Sequence, residues 1–315
     1  MKFVLSILIL PFFASVVSAG SIDANSFKGK AVLVTGASSG IGRTITETLA
    51  AKGVYVYAGA RKKGDLEALT ALENVQGIRL DVTKADEISA AVDLVKSQGR
   101  GLHGIVNNAG VFLYAPLIEI SESDMDFIMD VNVFGPYRVT KAFAPLIIDG
   151  KGRVTTIGSV AGLNSGRMFG PYSMTKFAME AFTDALAGEM GKFDVQVSIV
   201  EPGNFNSNIM KNMHKRQAKL KANGDTSLFD EEYEKMENFS KADRSSHRSP
   251  DAVADAVVHA LFAEEPKLRY LVTPNQREAD RALRGLMRKV SQVNNGHEYS
   301  LTNDQLKSLL DQFQK

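Results

Sequence analysis

Short apolar runs alternate with longer stretches of helical periodicity over most of this chain. Residues 30–35 are rich in β-branched side chains and carry no charge after Lys30, which is typical of a strand buried on both faces. The next stretch places Ile41, Ile45 and Leu49 on one helical face. This alternation predicts a parallel sheet covered by helices. The predicted strands are 30–35, 54–60, 77–80, 102–106, 153–157, 195–200 and 268–272, and long helices are predicted at about 124–148 and 172–190.

Residues 208–248 break this rhythm. They are basic between Lys211 and Lys221 and acidic between Asp230 and Glu237. The segment follows the sixth predicted strand, at the carboxyl edge of the sheet where ligands bind in such folds. We interpret it as a lid over a substrate, with a solvated insertion as the alternative.

The last residues form a separate helical pattern. Thr302 and Gln305 predict a capping box, and an apolar stripe follows it. We expect the stripe to pack on the body of the protein or on a partner subunit. Residues 276–315 are therefore interpreted as a helical extension of a main domain over residues 28–275. The stripe consists of Leu306, Leu309, Leu310 and Phe313.

Residues 1–19 carry Lys2, an apolar run from Phe3 to Val17, and small residues at the spacing of a cleavage site. The run is short for a membrane span of about 20 residues. It predicts either a cleaved signal peptide or an uncleaved membrane anchor. The protein is thus expected to be exported or membrane-associated, and cytoplasmic-facing catalysis stays open.

Composition narrows the function classes. The 315 residues carry a net charge of +1 and show no basic stripe, which argues against nucleic-acid binding. The absence of cysteine excludes disulfides, thiolate catalysis and cysteine metal sites. The five histidines are scattered without ligand spacing, so no metal site is predicted.

Two motifs carry chemistry. Gly36-Ala37-Ser38-Ser39-Gly40-Ile41-Gly42 joins the first strand to the first helix, which is the context that a phosphate-binding loop requires; a turn without a ligand is the alternative. Tyr172 and Lys176 are four residues apart and share one helical face. A nearby ammonium should lower the pKa of a phenol from about 10 and make it a general acid or base.

These motifs resemble the short-chain dehydrogenase/reductase family over roughly residues 28–275. The glycines read Thr-Gly-x-x-x-Gly-x-Gly, and residues 200–205 are most similar to the branch with 3-hydroxybutyrate, retinol and hydroxysteroid dehydrogenases. The resemblance implies an α/β fold with a Rossmann-like doubly wound parallel sheet of about seven strands. It also implies a homodimer or homotetramer. Further landmarks in family order are Asp81-Val82, Asn107-Asn108-Ala109-Gly110, Asn132, Ser159 and Pro202-Gly203.

The resemblance assigns roles to four residues of this chain. Tyr172 would exchange a proton with the substrate oxygen, and Lys176 would lower the pKa of that phenol and hold the nicotinamide ribose. Ser159 would hydrogen-bond the substrate oxygen, so Ser159 and Tyr172 are the predicted substrate contacts. Asn132 would hold a water that links Lys176 to solvent.

The cofactor preference follows from the residues after strand two, Ala60-Arg61-Lys62-Lys63. A carboxylate there would bind a ribose hydroxyl, whereas arginine accommodates a 2′-phosphate, so NADP is favoured. Ser39 stands where some NADP-using relatives carry a base, which leaves NAD as the alternative. The predicted cofactor-binding residues are Gly36, Ser38, Ser39, Gly40, Ile41, Gly42, Arg61, Asp81, Val82, Asn108, Ala109, Gly110, Tyr172, Lys176, Pro202 and Gly203.

The predicted function is an NADP(H)-dependent oxidoreductase that transfers a hydride between the nicotinamide and a secondary alcohol or ketone. A non-catalytic NADP-binding sensor or scaffold of the same fold is the alternative. Apolar residues near the predicted site favour a lipophilic steroid-, retinoid- or hydroxyacyl-like substrate over a small acid. These residues are Leu113, Tyr114, Leu163, Met168, Phe169, Phe205, Ile209 and Met210.

Overall fold

The computed structural model describes residues 22–207, 209, 213, 227–241 and 247–313. Its centre is a seven-stranded parallel sheet with the order β3-β2-β1-β4-β5-β6-β7. This confirms the predicted Rossmann-like sheet. The strands are β1 Ala31–Val34, β2 Tyr55–Ala60, β3 Val75–Arg79, β4 Gly104–Asn107, β5 Arg153–Ile157, β6 Gln196–Pro202 and β7 Arg269–Val272.

The strand order reverses beside β1. Val32 of β1 is in register with Val56 of β2 on one side and with Gly104 of β4 on the other. The connections after β1 and β4 therefore leave the sheet in opposite directions and open a crevice at its carboxyl edge. This crevice is where the glycine loop and the Asn107–Gly110 turn meet.

Both faces of the sheet are covered by helices. Val32 and Val34 point into one apolar layer, while Leu33 points into the other, as the alternation of a strand requires. All three are fully buried, which explains the uninterrupted apolar pattern of β1. The helices are α1 Gly40–Ala51, α2 Lys63–Thr70, α3 Ala85–Ser97, α4 Glu122–Met129, α5 Gly135–Asp149, α6 Val160–Leu163, α7 Gly170–Met190, α8 Asp230–Lys241, α9 Asp251–Phe262, α10 Gln276–Asn294 and α11 Asn303–Gln312.

The helix predicted at about 124–148 is interrupted. A π-helical turn, Asp130–Phe134, separates α4 from α5. Single π turns inside α-helices frequently mark functional sites, because they release backbone groups from regular pairing. The apolar periodicity continues through the turn, so the pattern did not reveal it.

The segment predicted to be a lid is described in part. Its Ile209, Met213 and Met236 side chains face an apolar cluster beside the crevice. Glu232 of α8 forms an ion pair with Arg167 at 2.7 Å, which connects the segment to the loop before α7. Residues 1–19, predicted to be a signal peptide or an anchor, lie outside the described residues. No helix in the described ranges is long and apolar enough to cross a membrane.

The C-terminal helices differ in their contacts. Helix α10 lies against α6, and Lys289 of α10 donates a hydrogen bond to the Leu163 carbonyl at 2.9 Å. The capping box at the start of α11 is present as predicted. The stripe of α11 is not packed on the body, since Leu309, Leu310 and Phe313 are exposed. Packing of this stripe on the body is therefore not found, and its packing on a partner subunit stays a prediction.

Candidate active site

The glycine loop is held against the β4 turn by direct contacts. Gly36 has a φ of +64°, a conformation that glycine adopts without strain. The Asn108 side chain donates hydrogen bonds to the carbonyls of Thr35 at 2.9 Å and Gly36 at 3.1 Å. A Cβ on Gly42 would overlap both the Asn108 amide and the Gly36 carbonyl oxygen. The start of α1 is thus fixed at the mouth of the crevice.

The amino end of α1 has the properties of an anion site. Its N-cap, Ser39, makes no side-chain hydrogen bond to the helix, and the first turn holds no acidic residue. The first backbone N–H groups of a helix have no partner inside the helix and carry a partial positive charge. The loop therefore suits the pyrophosphate of a dinucleotide.

The crevice has a volume of about 290 Å³ and gathers residues from distant parts of the chain. Every residue predicted to bind the cofactor lines it, from the Gly36–Gly42 loop to Pro202 and Gly203. Asn132 is not among its lining residues, but its side chain hydrogen-bonds the backbone of Val111, which is one of them. Lining residues that the sequence analysis did not single out include Gly59, Leu80, Val111 and Ile157.

Arg61 and Asp81 lie at the end of the crevice beyond β2 and β3. The Arg61 Nη1 and Asp81 Oδ2 atoms are 3.6 Å apart, and the Arg61 side chain is 61% exposed. Burial would raise the pKa of Asp81, but hydrogen bonds from Thr83 and the charge of Arg61 lower it below its usual value. A long, exposed ion pair is weak, so Arg61 is available to a ligand anion.

Tyr172, Lys176 and Ser159 meet at the opposite end of the crevice. Ser159 follows β5 as the N-cap of α6, and Tyr172 lies in the first turn of α7. The Lys176 Nζ atom is 5.6 Å from the centre of the Tyr172 ring and donates a hydrogen bond to the Ile157 carbonyl at 2.8 Å. The predicted juxtaposition of the tyrosine and the lysine is therefore present.

The predicted lowering of the Tyr172 pKa by Lys176 is not found. Burial raises the pKa of Tyr172 to about 12; a hydrogen bond with Ser159 lowers it in part, and the charge of Glu201 raises it. Burial also lowers the pKa of Lys176 to about 8, against the opposing effect of Glu201. Desolvation disfavours the charged form of both groups, and it is the largest cause of both shifts. The sequence pattern could not show how dry this site is.

Asn132 uses its side chain to join two elements. It lies in the π turn, and its Nδ2 donates to the Val111 carbonyl at 2.8 Å and to the Thr175 hydroxyl at 3.1 Å. Its Oδ1 accepts from the Val111 amide at 2.8 Å. Asn132 thus fixes the loop after β4 to the helix that carries Tyr172 and Lys176.

A second cavity of about 590 Å³ adjoins the crevice. Phe112 packs edge-on against Tyr172 with 4.9 Å between ring centres, and Phe169 packs beside Phe112. Ser159 and Tyr172 line both cavities, so they lie where the two meet.

The residues predicted to line an apolar pocket divide into several groups. Phe169 and Ile209 line the second cavity. Leu113 and Phe205 line the cofactor crevice instead. Tyr114 and Met168 belong to the apolar cluster that backs these cavities. Leu163 is buried, and Met210 lies outside the described residues.

Helix α10 contributes residues that the sequence analysis missed. Arg277 and Arg281 line the second cavity, and Arg281, Arg284 and Arg288 line a groove that continues from it. The spacing of these arginines along the helix is the signal that could have revealed a basic stripe. None of the four guanidinium groups pairs with another part of the described chain.

The comparisons with known proteins agree with this geometry. A family model described as short chain dehydrogenase matches residues 30–218. The chain belongs to the short-chain dehydrogenase family. As a member of that family it is an oxidoreductase acting on CH–OH groups.

Several relatives are similar over most of their length. A mitochondrial D-beta-hydroxybutyrate dehydrogenase of Rattus norvegicus is 36% identical over 271 residues, which cover 79% of this chain and 78% of that protein. Retinol dehydrogenase 7 of Mus musculus is 35% identical over 253 residues, covering 76% and 79%. The predicted branch of the short-chain dehydrogenases is therefore confirmed.

A solved structure shares the fold. A short-chain dehydrogenase/reductase from Burkholderia phymatum, solved in complex with NAD, superposes with a TM-score of 0.73 over 88% of this chain and 99% of that chain. At 24% identity this likeness concerns the fold.

Proposed function

We propose that this protein is an NADP(H)-dependent oxidoreductase that interconverts a secondary alcohol and a ketone. The observation that supports this function is the position of Ser159 and Tyr172 at the junction of the two cavities. A carbonyl group held there would contact both hydroxyls while facing the cofactor crevice. Proximity of this kind is what a hydride transfer requires.

In this proposal Tyr172 and Ser159 act on the substrate oxygen. The nicotinamide, when bound, supplies the hydride in reduction or accepts it in oxidation. Tyr172 donates its proton to the carbonyl oxygen in reduction, and Ser159 hydrogen-bonds that oxygen as negative charge develops. Because burial raises the pKa of Tyr172 to about 12, the phenol is protonated at neutral pH and suits reduction.

Lys176 would return a proton to the phenol. Its pKa of about 8 allows it to lose and regain a proton near neutral pH, and its ammonium would also hold the nicotinamide ribose. We retain for Asn132 the role of bracing a water between Lys176 and solvent. The side chain of Asn132 is occupied by Val111 and Thr175, so its backbone in the π turn is the group that would hold this water.

NADP is the proposed cofactor because of the charges beyond β2. Arg61 lines the crevice and is held by a weak ion pair, and Lys62 and Lys63 follow it without a carboxylate between them. A 2′-phosphate would find a guanidinium able to form two hydrogen bonds. NAD is the alternative, and a direct comparison of both cofactors decides between them.

The second cavity suggests the substrate class. Phe112, Phe169 and Met236 are apolar members of its lining, which also includes Arg277, Arg281 and Glu278; the Glu278 carboxylate already accepts a hydrogen bond from the Asn204 amide. A substrate with an apolar body and an anionic end would contact both the apolar residues and the arginines of this cavity, because an unpaired arginine binds carboxylate or phosphate. Among lipophilic substrates this combination favours a hydroxyacyl compound over a neutral steroid or retinoid.

We also propose that the protein forms a homodimer or homotetramer through α5 and α7. Tyr137 of α5 and Met174 and Phe177 of α7 are large apolar side chains with substantial exposure, and so is Phe134, three residues before Tyr137. Burial of such surfaces stabilises subunit contacts. Light scattering of the purified protein measures the number of subunits in the assembly.

Residues 1–19 retain the proposed role of an export signal or membrane anchor. Cell fractionation with and without this segment tests that role.

The function is tested with Tyr172→Phe and a substrate panel. The panel contains 3-hydroxybutyrate, 3-hydroxybutyryl-coenzyme A, a steroid alcohol and retinol, each assayed with NADP and NAD at the nicotinamide absorbance. Tyr172→Phe removes the proton donor, so turnover should fall to background while NADPH still binds. Tyr299→Phe, at a side chain that is 78% exposed, is the matched control and should behave as wild type.

Two outcomes contradict the proposal. Turnover retained by Tyr172→Phe would remove the phenol from the reaction. Quenching of intrinsic fluorescence by NADPH without oxidation or reduction of any panel compound would favour the sensor or scaffold of the same fold.

A further inference from the structure

A buried carboxyl group with no role in the proposed reaction lies beneath the active site. Glu201, near the end of β6, is 0% exposed. Its Oε2 accepts a hydrogen bond from the Ser159 amide at 3.1 Å. The peptide beside it is also fixed, because the Gly158 amide donates to the Val200 carbonyl at 2.7 Å. Glu201 therefore holds the backbone from which the Ser159 hydroxyl projects.

The chain leaves space for this carboxyl group at two glycines. A Cβ on Gly158 would overlap the Glu201 Oε1 and lie 2.8 Å from its Cδ. A Cβ on Gly162 would lie 3.4 Å from the Glu201 Oε2 and 2.9 Å from the Lys176 carbonyl oxygen. The carboxyl group thus fits between the turn that carries Ser159 and the helix that carries Lys176.

A second acid lies next to this carboxyl group. The side chains of Glu201 and Glu180 are within hydrogen-bonding reach of each other. Each has a buried Oε1 that no N–H or O–H donor from the described residues reaches. The other oxygen of Glu180 accepts from Arg269 at 2.7 Å. Two carboxyl oxygens can hydrogen-bond each other when a proton lies between them.

Burial supports the presence of that proton. It raises the pKa of Glu201 to about 9, with further increases from the hydrogen bond and charge of Glu180, against opposing effects of Lys176 and the Ser159 amide. The charged and titratable groups that act on Glu201 directly are Tyr172, Lys176 and Glu180 of α7. Glu180 in turn pairs with Arg269 of β7, which also pairs with Asp184.

We propose that Glu201 is a positioning residue for the reaction, and that it works in its protonated form by donating its proton to Glu180 while its other oxygen holds the Ser159 amide. The inference rests on the proposed function for its kinetic part. Protonated Glu201 connects Ser159 to Glu180 of α7. Because it is neutral, it adds no negative charge of its own next to Tyr172. Ionised Glu201 would oppose the phenolate that forms when Tyr172 gives up its proton.

Two substitutions distinguish a role of protonated Glu201 from a role of its carboxylate. In Glu201→Gln the amide can donate to Glu180 and accept from the Ser159 amide, as the protonated acid does. In Glu201→Leu neither hydrogen bond can form, although the side chain has similar size. We expect Glu201→Gln to keep kcat close to that of wild type, and Glu201→Leu to lose about 100-fold in kcat through misplacement of Ser159. The dissociation constant of NADPH should be similar in all three proteins.

The pH profile of kcat gives a readout that a purely structural role would not change. Wild type should lose activity as the pH rises past about 9, where Glu201 ionises, and Glu201→Gln should lack this transition. A Glu201→Gln variant as inactive as Glu201→Leu would show that the carboxylate is required and would overturn the proposal. Full activity in Glu201→Leu would overturn it as well.

A spectroscopic measurement keeps the proposal testable if Glu201→Leu does not fold or if the substrate panel is inactive. The infrared difference spectrum between wild type and Glu201→Gln at neutral pH should contain the carbonyl band of a protonated carboxylic acid. A carboxylate band in its place would refute the shared proton, whatever the substrate is. Absent turnover together with the acid band would count against the proposed function and leave the protonation of Glu201 supported.

Discussion

The contact between the first helix and the β4 turn makes a direct prediction at Gly42. In Gly42→Ala the new methyl group would overlap the Asn108 amide and the Gly36 carbonyl oxygen, and would lie 3.0 Å from the Gly36 carbonyl carbon. Side-chain movement of Asn108 cannot relieve the clash with the backbone of Gly36. The loop must therefore shift away from α1, or α1 must shift away from the sheet.

The loss of folding stability in Gly42→Ala follows from the steric overlap and from the hydrogen bonds that are broken. Forcing an extra methyl group into a packed site costs about 1–3 kcal/mol. If Asn108 also loses its bonds to Thr35 and Gly36, each contributes about 1 kcal/mol. A total of about 3–5 kcal/mol would lower Tm by roughly 6–20 °C in a domain of this size. The displaced loop should also bind NADPH more weakly, because its N–H groups no longer converge.

Thermal unfolding followed by circular dichroism, with and without NADPH, measures both effects. Gly188→Ala is the matched control, because Gly188 lies in α7 and a Cβ there meets no heavy atom within 4 Å. Alanine in an exposed helix should leave stability unchanged or raise it by up to about 1 kcal/mol. Equal Tm values for the two variants, with unchanged NADPH binding, would refute the packing described for this loop.

Three further predictions concern charge and hydrogen bonding. Arg61→Ala should raise KM for NADP by about tenfold or more and leave KM for NAD nearly unchanged, since it removes a contact of about 1.5–3 kcal/mol to the 2′-phosphate; equal effects on both cofactors would place Arg61 outside the phosphate site. Arg281→Ala should raise KM for an anionic hydroxyacyl substrate but not for a neutral alcohol, with a smaller effect in Arg288→Ala, which lies farther along the groove. The proton on Glu201 stabilises the fold fully below about pH 4.5, and this contribution is lost as the pH rises towards 9. The free energy of unfolding measured in urea should therefore decline less in Glu201→Gln than in wild type between these pH values, and parallel curves would contradict a raised pKa in the folded state.

Much of the fold was predictable because its signals are local. The apolar run of β1, the glycines after it and the face formed by Ile45 and Leu49 depend on neighbouring residues alone. The capping box at Thr302 is equally local, and it was predicted correctly. Strand ends shifted by a few residues, because pairing with the next strand decides where a strand stops.

The sequence by itself determined the order of the strands and helices and many of the residues that line the crevice, since residues at fixed places in a βα pattern return to one edge of a parallel sheet. Tertiary structure decided their environment. Glu201 is buried beside Glu180 and Lys176 because β6 and α7 pack together, and Arg281 lines the second cavity because α10 packs on α6. The raised pKa of Tyr172 has the same origin, because removal of water depends on all the elements around a group and its near neighbours in the chain supply only part of them.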